Sequence, residues 1–342
     1  MLEKPQLVDT ALIQLLNSAY GLDVRDLSFL PLGADAHTAV YRLITTDDTP
    51  YFLKLRRTHF APASVHIPTY LHDVGMRQVI PAIRTQTGAM WVQFESFMVV
   101  LYPYIAGLHG IDRPLSDEQW RTFGSTLKTL HTMQFPSAIT ADLPQEQFAP
   151  HWRERLAWFL AQAESQSTAD SVTAELVALL KTKAAEMNAI ITRTAALAQR
   201  LQQQPPPFVL CHADCHGWNL LVVNSTSFFV VDWDTLLFAP KERDLMFIGA
   251  GLFGNAHSPA AETALFYQGY GSAPVDQAAL SYYRYERIIE DIAVYCAEIL
   301  DEATGDADRR QAFIYLQSNF LPGSTIALAR QGDDQTLGMN TE

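Results

Sequence analysis

Residues 211–219 read CHADCHGWN, a run that carries two cysteines, two histidines, an aspartate and an asparagine. Two chemistries are open to such a set. Thiolates and imidazoles are zinc ligands, whereas a carboxylate and an amide are oxygen donors suited to proton transfer and to hard cations. A structural zinc site usually draws four ligands from two knuckles set well apart in the chain. Here Cys211, His212, Cys215 and His216 crowd into one short run, and the remaining cysteine, Cys296, sits in a helical pattern with no adjacent histidine. The spacing disfavours a closed tetrahedral site.

His212, Asp214 and Asn219 form the pattern H-x-D-x-x-x-x-N. That is the catalytic-loop spacing of the kinase fold, in which the aspartate meets an acceptor hydroxyl and the asparagine holds a magnesium ion. The following residues strengthen it. LLVV (220–223) and FFVV (228–231) are two β runs separated by Asn224-Ser225-Thr226-Ser227, which predicts a hairpin. Symmetric pairing sets Leu220 against Val231 and brings Asn219 beside Asp232, on strands roughly 5 Å apart. An amide oxygen and a carboxylate so placed reach one cation at about 2.1 Å. The competing reading is a surface hairpin with polar ends.

On the first reading Asp214 is the catalytic base, Asn219 and Asp232 are metal ligands, and His212 orients the loop. Asp234, two residues further on, is a candidate for the mouth of the acceptor pocket. Upstream, YFLKL places Lys54 in an apolar strand, where an ammonium is costly without a partner. A nucleotide phosphate would supply one; a snorkelling side chain at a strand edge is the alternative. LPLGADAHTAVY, with Gly33 its single glycine, could close over phosphates as a hairpin tip.

Such residues need a frame. LSFLPL, TAVYRLIT, YFLKLR, MWVQF and FMVVLYPY are β-branched and aromatic runs broken by turn residues, and a helical pattern, LVDTALIQLLNSAYG, precedes them. SVHIPTYLHDVG reads as a helix interrupted by Pro68. Beyond residue 105 helical patterns dominate, and Pro205-Pro206-Pro207 ends the long one. The expected class is α+β, with a β-rich segment over 1–104, a mainly helical segment over 105–330 and a polar tail over 331–342.

The net charge of −13 argues against a nucleic-acid partner and permits cationic ligands. Hydrophobic residues make up 48% and charged residues 18% of the chain, the balance of a globular protein with a substantial core. The first residues lack a signal-peptide pattern, no apolar run spans a bilayer, and three cysteines do not read as a disulfide framework, so a cytoplasmic location is expected. The sequence is silent on oligomeric state.

In this order the motifs resemble the aminoglycoside phosphotransferase family, small-molecule relatives of the protein kinases, and within it the spectinomycin-phosphorylating branch. Ala213 stands in the middle of the HxD, Trp233 follows Asp232, and only seven residues separate Asp232 from Pro240, which leaves no room for a peptide-docking activation loop. APKERDLMFIG (239–249) and LSYYRYERIIEDIAVY (280–295) carry the closest likeness.

The resemblance implies a bilobal protein-kinase-like fold, ATP (or GTP) with Mg²⁺, and a small cationic hydroxylated acceptor such as spectinomycin. It further implies that Lys54 meets the phosphates, that Tyr102-Pro103-Tyr104 is a hinge meeting the base through its backbone, and that Asp244 is a structural brace. A helix glutamate to pair with Lys54 is missing: Asp73 is the only acid between Lys54 and Trp91, and Glu95 follows on the next strand region. For the acceptor, Glu286 and Glu290 share one helix face with Tyr283 close by, where their repulsion calls for cations. Arg284, Arg287 or a ligand amine would serve. The alternatives in function are a kinase for choline, homoserine or an amino sugar, a silent nucleotide-binding module, and a metal hydrolase using the Cys/His cluster.

Overall fold

The β-branched and aromatic runs of the first hundred residues become strands because such side chains suit a pleated, half-buried surface. In the computed structural model, which describes residues 4–31, 38–57, 60–165, 171–254, 256–301 and 304–339, β1 (Val24–Leu30), β2 (Thr38–Thr45), β3 (Pro50–Arg56), β4 (Val92–Phe94) and β5 (Phe97–Pro103) form one antiparallel sheet in the order β1-β2-β3-β5-β4. The chain divides into two compact units, residues 1–119 with 133–144 and 214–236, and residues 120–132 with 145–213 and 237–342.

In the first unit, α1 (Asp9–Tyr20) lays Leu12, Leu16 and Tyr20 on the sheet residues Leu43, Leu53, Leu55, Val99 and Leu101. Gly21 ends the helix in the left-handed region (φ 68°), donating its N–H to the Asn17 carbonyl. α2 (Ala63–Asp73) runs through Pro68, so the proline interrupts a hydrogen bond without ending the helix. The same unit contains β6 (Leu108–His109), β8 (Leu220–Val222) and β9 (Phe228–Val230), a second antiparallel sheet in the order β6-β8-β9.

The second unit pairs β7 (Phe208–Cys211) with β10 (Leu237–Pro240). Its helical elements are most of α3 (Asp117–Thr132), α5 (His151–Ser165), α6 (Ser171–Gln203), the short α7 (Glu242–Leu245), α8 (Pro259–Tyr270), α9 (Gln277–Leu300), α10 (Asp306–Ser318) and α11 (Thr325–Met339). A further single turn, α4 (Ser137–Thr140), belongs to the first unit. Within the second unit α3 and α8 touch backbone to backbone: a Cβ on Gly124 would overlap the Phe266 carbonyl, and one on Gly269 the Arg121 carbonyl.

The polar segment expected as a tail is helical as far as Met339. Asp333 is buried there and accepts two 2.7 Å hydrogen bonds from the Nε and Nη2 of Arg193 on α6. That bidentate pair anchors residues whose composition alone suggested no structure. Among the described residues no helix is long and apolar enough to cross a membrane.

Candidate active site

The hairpin that follows the H-x-D-x-x-x-x-N pattern forms, with a register one residue away from the symmetric pairing. Leu220 pairs with Val230 and Val222 with Phe228, and Val231 donates its N–H to the Asn219 carbonyl at 2.9 Å. The partner of Asn219 is therefore Val231, and Asp232 lies one position further on. A one-residue offset in an extended strand would turn Asp232 to the opposite face. The strand instead stops at Val230, and Asp232 adopts a left-handed conformation (φ 63°, ψ 65°) that re-aims the chain. A non-glycine residue there costs roughly 1–3 kcal/mol and persists where surrounding contacts hold it, as at functional sites.

What holds Asp232 is Lys54. Its Nζ lies 3.0 Å from Asp232 Oδ1 and 2.6 Å from Asp234 Oδ2. Asp234 also takes an ion pair from Arg56, two positions along β3 from Lys54 and hence on the same face of the strand. Burial alone would lower the Lys54 pKa, but the carboxylates of Asp232 and Asp234 outweigh it and hold the ammonium above the ordinary lysine range. The acidic partner sought near a helix end is thus supplied by the segment after β9. Asp234, expected at the rim of an acceptor pocket, is largely buried, with 15% of its side chain exposed, and is committed to two cations.

Asp214 is held from both sides. Asn219 donates its Nδ2 hydrogens to the Asp214 carbonyl at 2.9 Å and to Asp214 Oδ2 at 2.8 Å. His216 Nε2 lies 3.2 Å from Asp214 Oδ1. The Asn219 amide is therefore oriented by its nitrogen, and its Oδ1 takes no hydrogen bond from the described residues. Asp232 keeps its side chain 51% exposed. An amide oxygen and an accessible carboxylate are hard donors, and they fit a hard divalent cation such as Mg²⁺.

Tyr102, near the end of β5, pairs across the sheet with Phe52, and burial pushes its phenol up. Tyr104, just past β5, carries the Arg42 guanidinium 4.9 Å from its ring centroid. Gly33 lies outside the described residues.

In the second unit Asp244 is fully buried and takes the backbone N–H groups of His212 at 3.0 Å and Ala213 at 2.6 Å. His131 Nε2 is 2.9 Å from Asp244 Oδ2, and the other His131 nitrogen is 2.8 Å from the Tyr270 hydroxyl. Burial opposes ionisation of Asp244, yet the His131 hydrogen bond, the neighbouring imidazoles and the Ala213 N–H together hold its carboxyl below the usual range. This brace fixes Ala213 at φ 68°, a second left-handed non-glycine residue, immediately before Asp214 in sequence.

His131, Cys211 and Asp244 bring their ligand atoms within 4.8 Å of one another, the one such cluster among the described residues. Burial drives the Cys211 thiol well above the ordinary range, and its Sγ lies 3.6–3.8 Å from the carbonyl oxygens of Val209, Ala239 and Pro240.

The proposed acceptor residues divide. Tyr283 is buried in the core, with its ring 5.7 Å from the Arg243 guanidinium. Glu286 Oε2 lies 3.3 Å from Arg153 Nη1 without hydrogen-bonding geometry, so the oxygen is buried and unbonded. Burial pushes the Glu286 carboxyl up to about 7, against the lowering effect of Arg153. Glu290, one turn on, is half-buried. Sequence reasoning missed Arg56, His131 and His216. Arg56 carried a signal, since it alternates in phase with Lys54; His131 carried none.

The sequence matches the phosphotransferase enzyme family (APH) over residues 28–284. No curated protein sequence matches it. Among solved structures, spectinomycin phosphotransferase APH(9)-Ia in complex with ADP and spectinomycin is 33% identical, with a TM-score of 0.88 over 96% of this chain and 99% of that one. The AMP-bound complex of APH(9)-Ia is likewise 33% identical, with a TM-score of 0.83 over 94% and 97% of the two chains. Choline kinase LicA from Streptococcus pneumoniae, 15% identical with a TM-score of 0.55 over 91% and 99%, shares the fold.

Proposed function

The chain belongs to the phosphotransferase enzyme family, whose kinase-like α+β fold serves transfer to an alcohol group, and from that premise we propose that it transfers the γ-phosphoryl group of ATP to a hydroxyl of a small cationic acceptor, spectinomycin first among them. The observation that carries this reading is the meeting of Lys54 with Asp232, 178 positions apart in the chain, in the same unit as Asp214 and Asn219. A strand lysine, a loop carboxylate and a second carboxylate beyond a hairpin are the parts that phosphoryl transfer needs for positioning and charge neutralisation.

In the proposed reaction Asp214 accepts a hydrogen bond from the acceptor hydroxyl. It takes the proton as the hydroxyl oxygen bonds the γ-phosphorus and the bond to ADP breaks. Lys54 turns its ammonium from the carboxylates toward the nucleotide phosphates. Asn219 Oδ1 and the Asp232 carboxylate would hold Mg²⁺, which neutralises phosphate charge when bound. The Asp244 brace fixes the turn that presents Asp214, and does so without touching substrate.

Acceptor selection is assigned to carboxylates. Glu286 Oε2 supports this: it is ion-paired with Arg153 at 3.3 Å yet takes no hydrogen bond, and a buried carboxyl short of a hydrogen bond gains from a further donor. Glu290, on the same helix face, adds negative charge.

The test is turnover by ATP coupled to ADP release, run across spectinomycin, other aminocyclitols, choline, homoserine and amino sugars. Turnover with spectinomycin supports the proposal. Turnover with a metabolite alone makes the protein a metabolic kinase, and silence across the panel with intact nucleotide binding makes it a binding module.

A further inference from the structure

His216 belongs to the opening stretch of two cysteines and two histidines, yet the phosphotransfer pattern gives it no part. The structure places it against the base. Its Nε2 lies 3.2 Å from Asp214 Oδ1, with 15% and 20% of the two side chains exposed. Its Nδ1 accepts the backbone N–H of Trp218 at 3.3 Å, capping the single turn Gly217–Asn219.

Those two contacts decide the tautomer. A ring nitrogen that accepts a hydrogen bond carries no proton, so in the neutral imidazole the hydrogen sits on Nε2 and faces Asp214. Asp214 is then gripped at both oxygens, Oδ1 by His216 and Oδ2 by Asn219 Nδ2 at 2.8 Å. A carboxylate held by one donor can rotate about its Cβ–Cγ bond; held by two, it cannot. Asn219 holds the other oxygen, and it is also the residue proposed to hold the cation.

We propose that His216 is a positioning residue for the phosphotransfer step: its Nε2–H locks the Asp214 carboxylate in the plane from which it accepts the proton of the acceptor hydroxyl, while its Nδ1 ties the same ring to the Trp218 amide. It rests on the reading of Asp214 as the base. The proton of the acceptor passes to Asp214, and His216 neither gives nor takes one.

Two isosteric variants separate the halves of this arrangement. His216→Asn keeps an acceptor where Nδ1 lies and loses the donor to Asp214. His216→Gln keeps a donor where Nε2 lies and loses the cap. With the fastest acceptor of the panel above, His216→Asn lowers kcat about 10- to 100-fold, the cost of a misplaced reacting group. KM for ATP stays within about twofold, and His216→Gln recovers most of kcat. In an Asp214→Asn background, His216→Asn brings no further loss, because the residue acts through the carboxylate.

A His216→Asn variant at wild-type kcat, or a His216→Gln variant slower than His216→Asn, overturns the proposal and leaves the base assignment standing. Wild-type turnover by Asp214→Asn overturns both. Should either His216 variant fail to fold, ¹⁵N spectra of the unsubstituted protein decide: a ring protonated at Nε2 is expected, and one protonated at Nδ1 alone contradicts the proposal.

Discussion

Lys54 and Asp234 are an ion pair 2.6 Å long between residues 180 positions apart. Asp232 and Arg56 complete a cluster of two cations and two carboxylates, so the strand lysine is neutralised by the segment that also carries the proposed metal ligand. Any ligand that engages Lys54 must compete with, or rearrange, this cluster. Nucleotide binding and local electrostatics are therefore coupled at these residues.

Asp234→Asn strips one carboxylate from two largely buried cations. Removing one partner of such a pair costs about 2–4 kcal/mol, because the charges left behind remain desolvated. Urea unfolding should report that loss. ATP analogue with Mg²⁺ should then raise the melting temperature more in the variant than in the parent, since the phosphates replace the missing anion. A change below about 0.5 kcal/mol would mean that the pair is solvated and without structural weight.

Asn219→Ala and Asp232→Asn each remove a hard oxygen donor. The Mg²⁺ concentration for half-maximal turnover should rise at least about tenfold in each. Asn219→Ala should in addition lower kcat at saturating metal, because the same side chain holds Asp214 Oδ2. An unchanged metal requirement in both variants would remove them as ligands.

Glu262 supplies a pH test in the second unit. It is 2% exposed, and burial pushes its carboxyl up from 4.5 to about 7, only partly offset by the Gly249 N–H. The folded state therefore holds a proton that the unfolded chain has lost between those values. The associated stability is full below about 4.5 and declines as pH rises through 7. Glu262→Gln escapes the decline. Relative to the parent, its unfolding free energy should gain about 2–3 kcal/mol between pH 5 and pH 8. A constant difference across that range would show that Glu262 is ionised in the folded protein throughout.

Much of this was legible in the sequence where chemistry and periodicity coincide. The strands of the first sheet announce themselves as β-branched and aromatic runs broken by turn residues, and the HxD pattern with its hairpin brings Asp214, Asn219 and Asp232 into one reading. Register was not legible. Asn219 lies opposite Val231 and not Asp232, which takes a left-handed conformation one position further on. Nothing in a local pattern specifies either the offset or that turn.

Partners distant in the chain were hidden for a related reason. A search for the Lys54 counter-ion among the nearest acids finds Asp73 and Glu95, whereas topology delivers Asp232 and Asp234. The helical end of the chain is hidden from composition in the same way, since the pairing of buried Asp333 with Arg193 is visible only once α11 is brought to α6. The role proposed for His216 depends on which way an imidazole faces, which no local pattern specifies.

The role proposed for Asp214 is to receive the proton of an acceptor hydroxyl during phosphoryl transfer. Its most direct test is ³¹P detection of the phosphorylated acceptor in single-turnover reactions of the parent and Asp214→Ala, with ATP-analogue affinity measured on both. Product is expected from the parent, with a rate about 10²- to 10⁴-fold lower from the variant and nucleotide affinity nearly unchanged. Product formed by Asp214→Ala at the parental rate would contradict it.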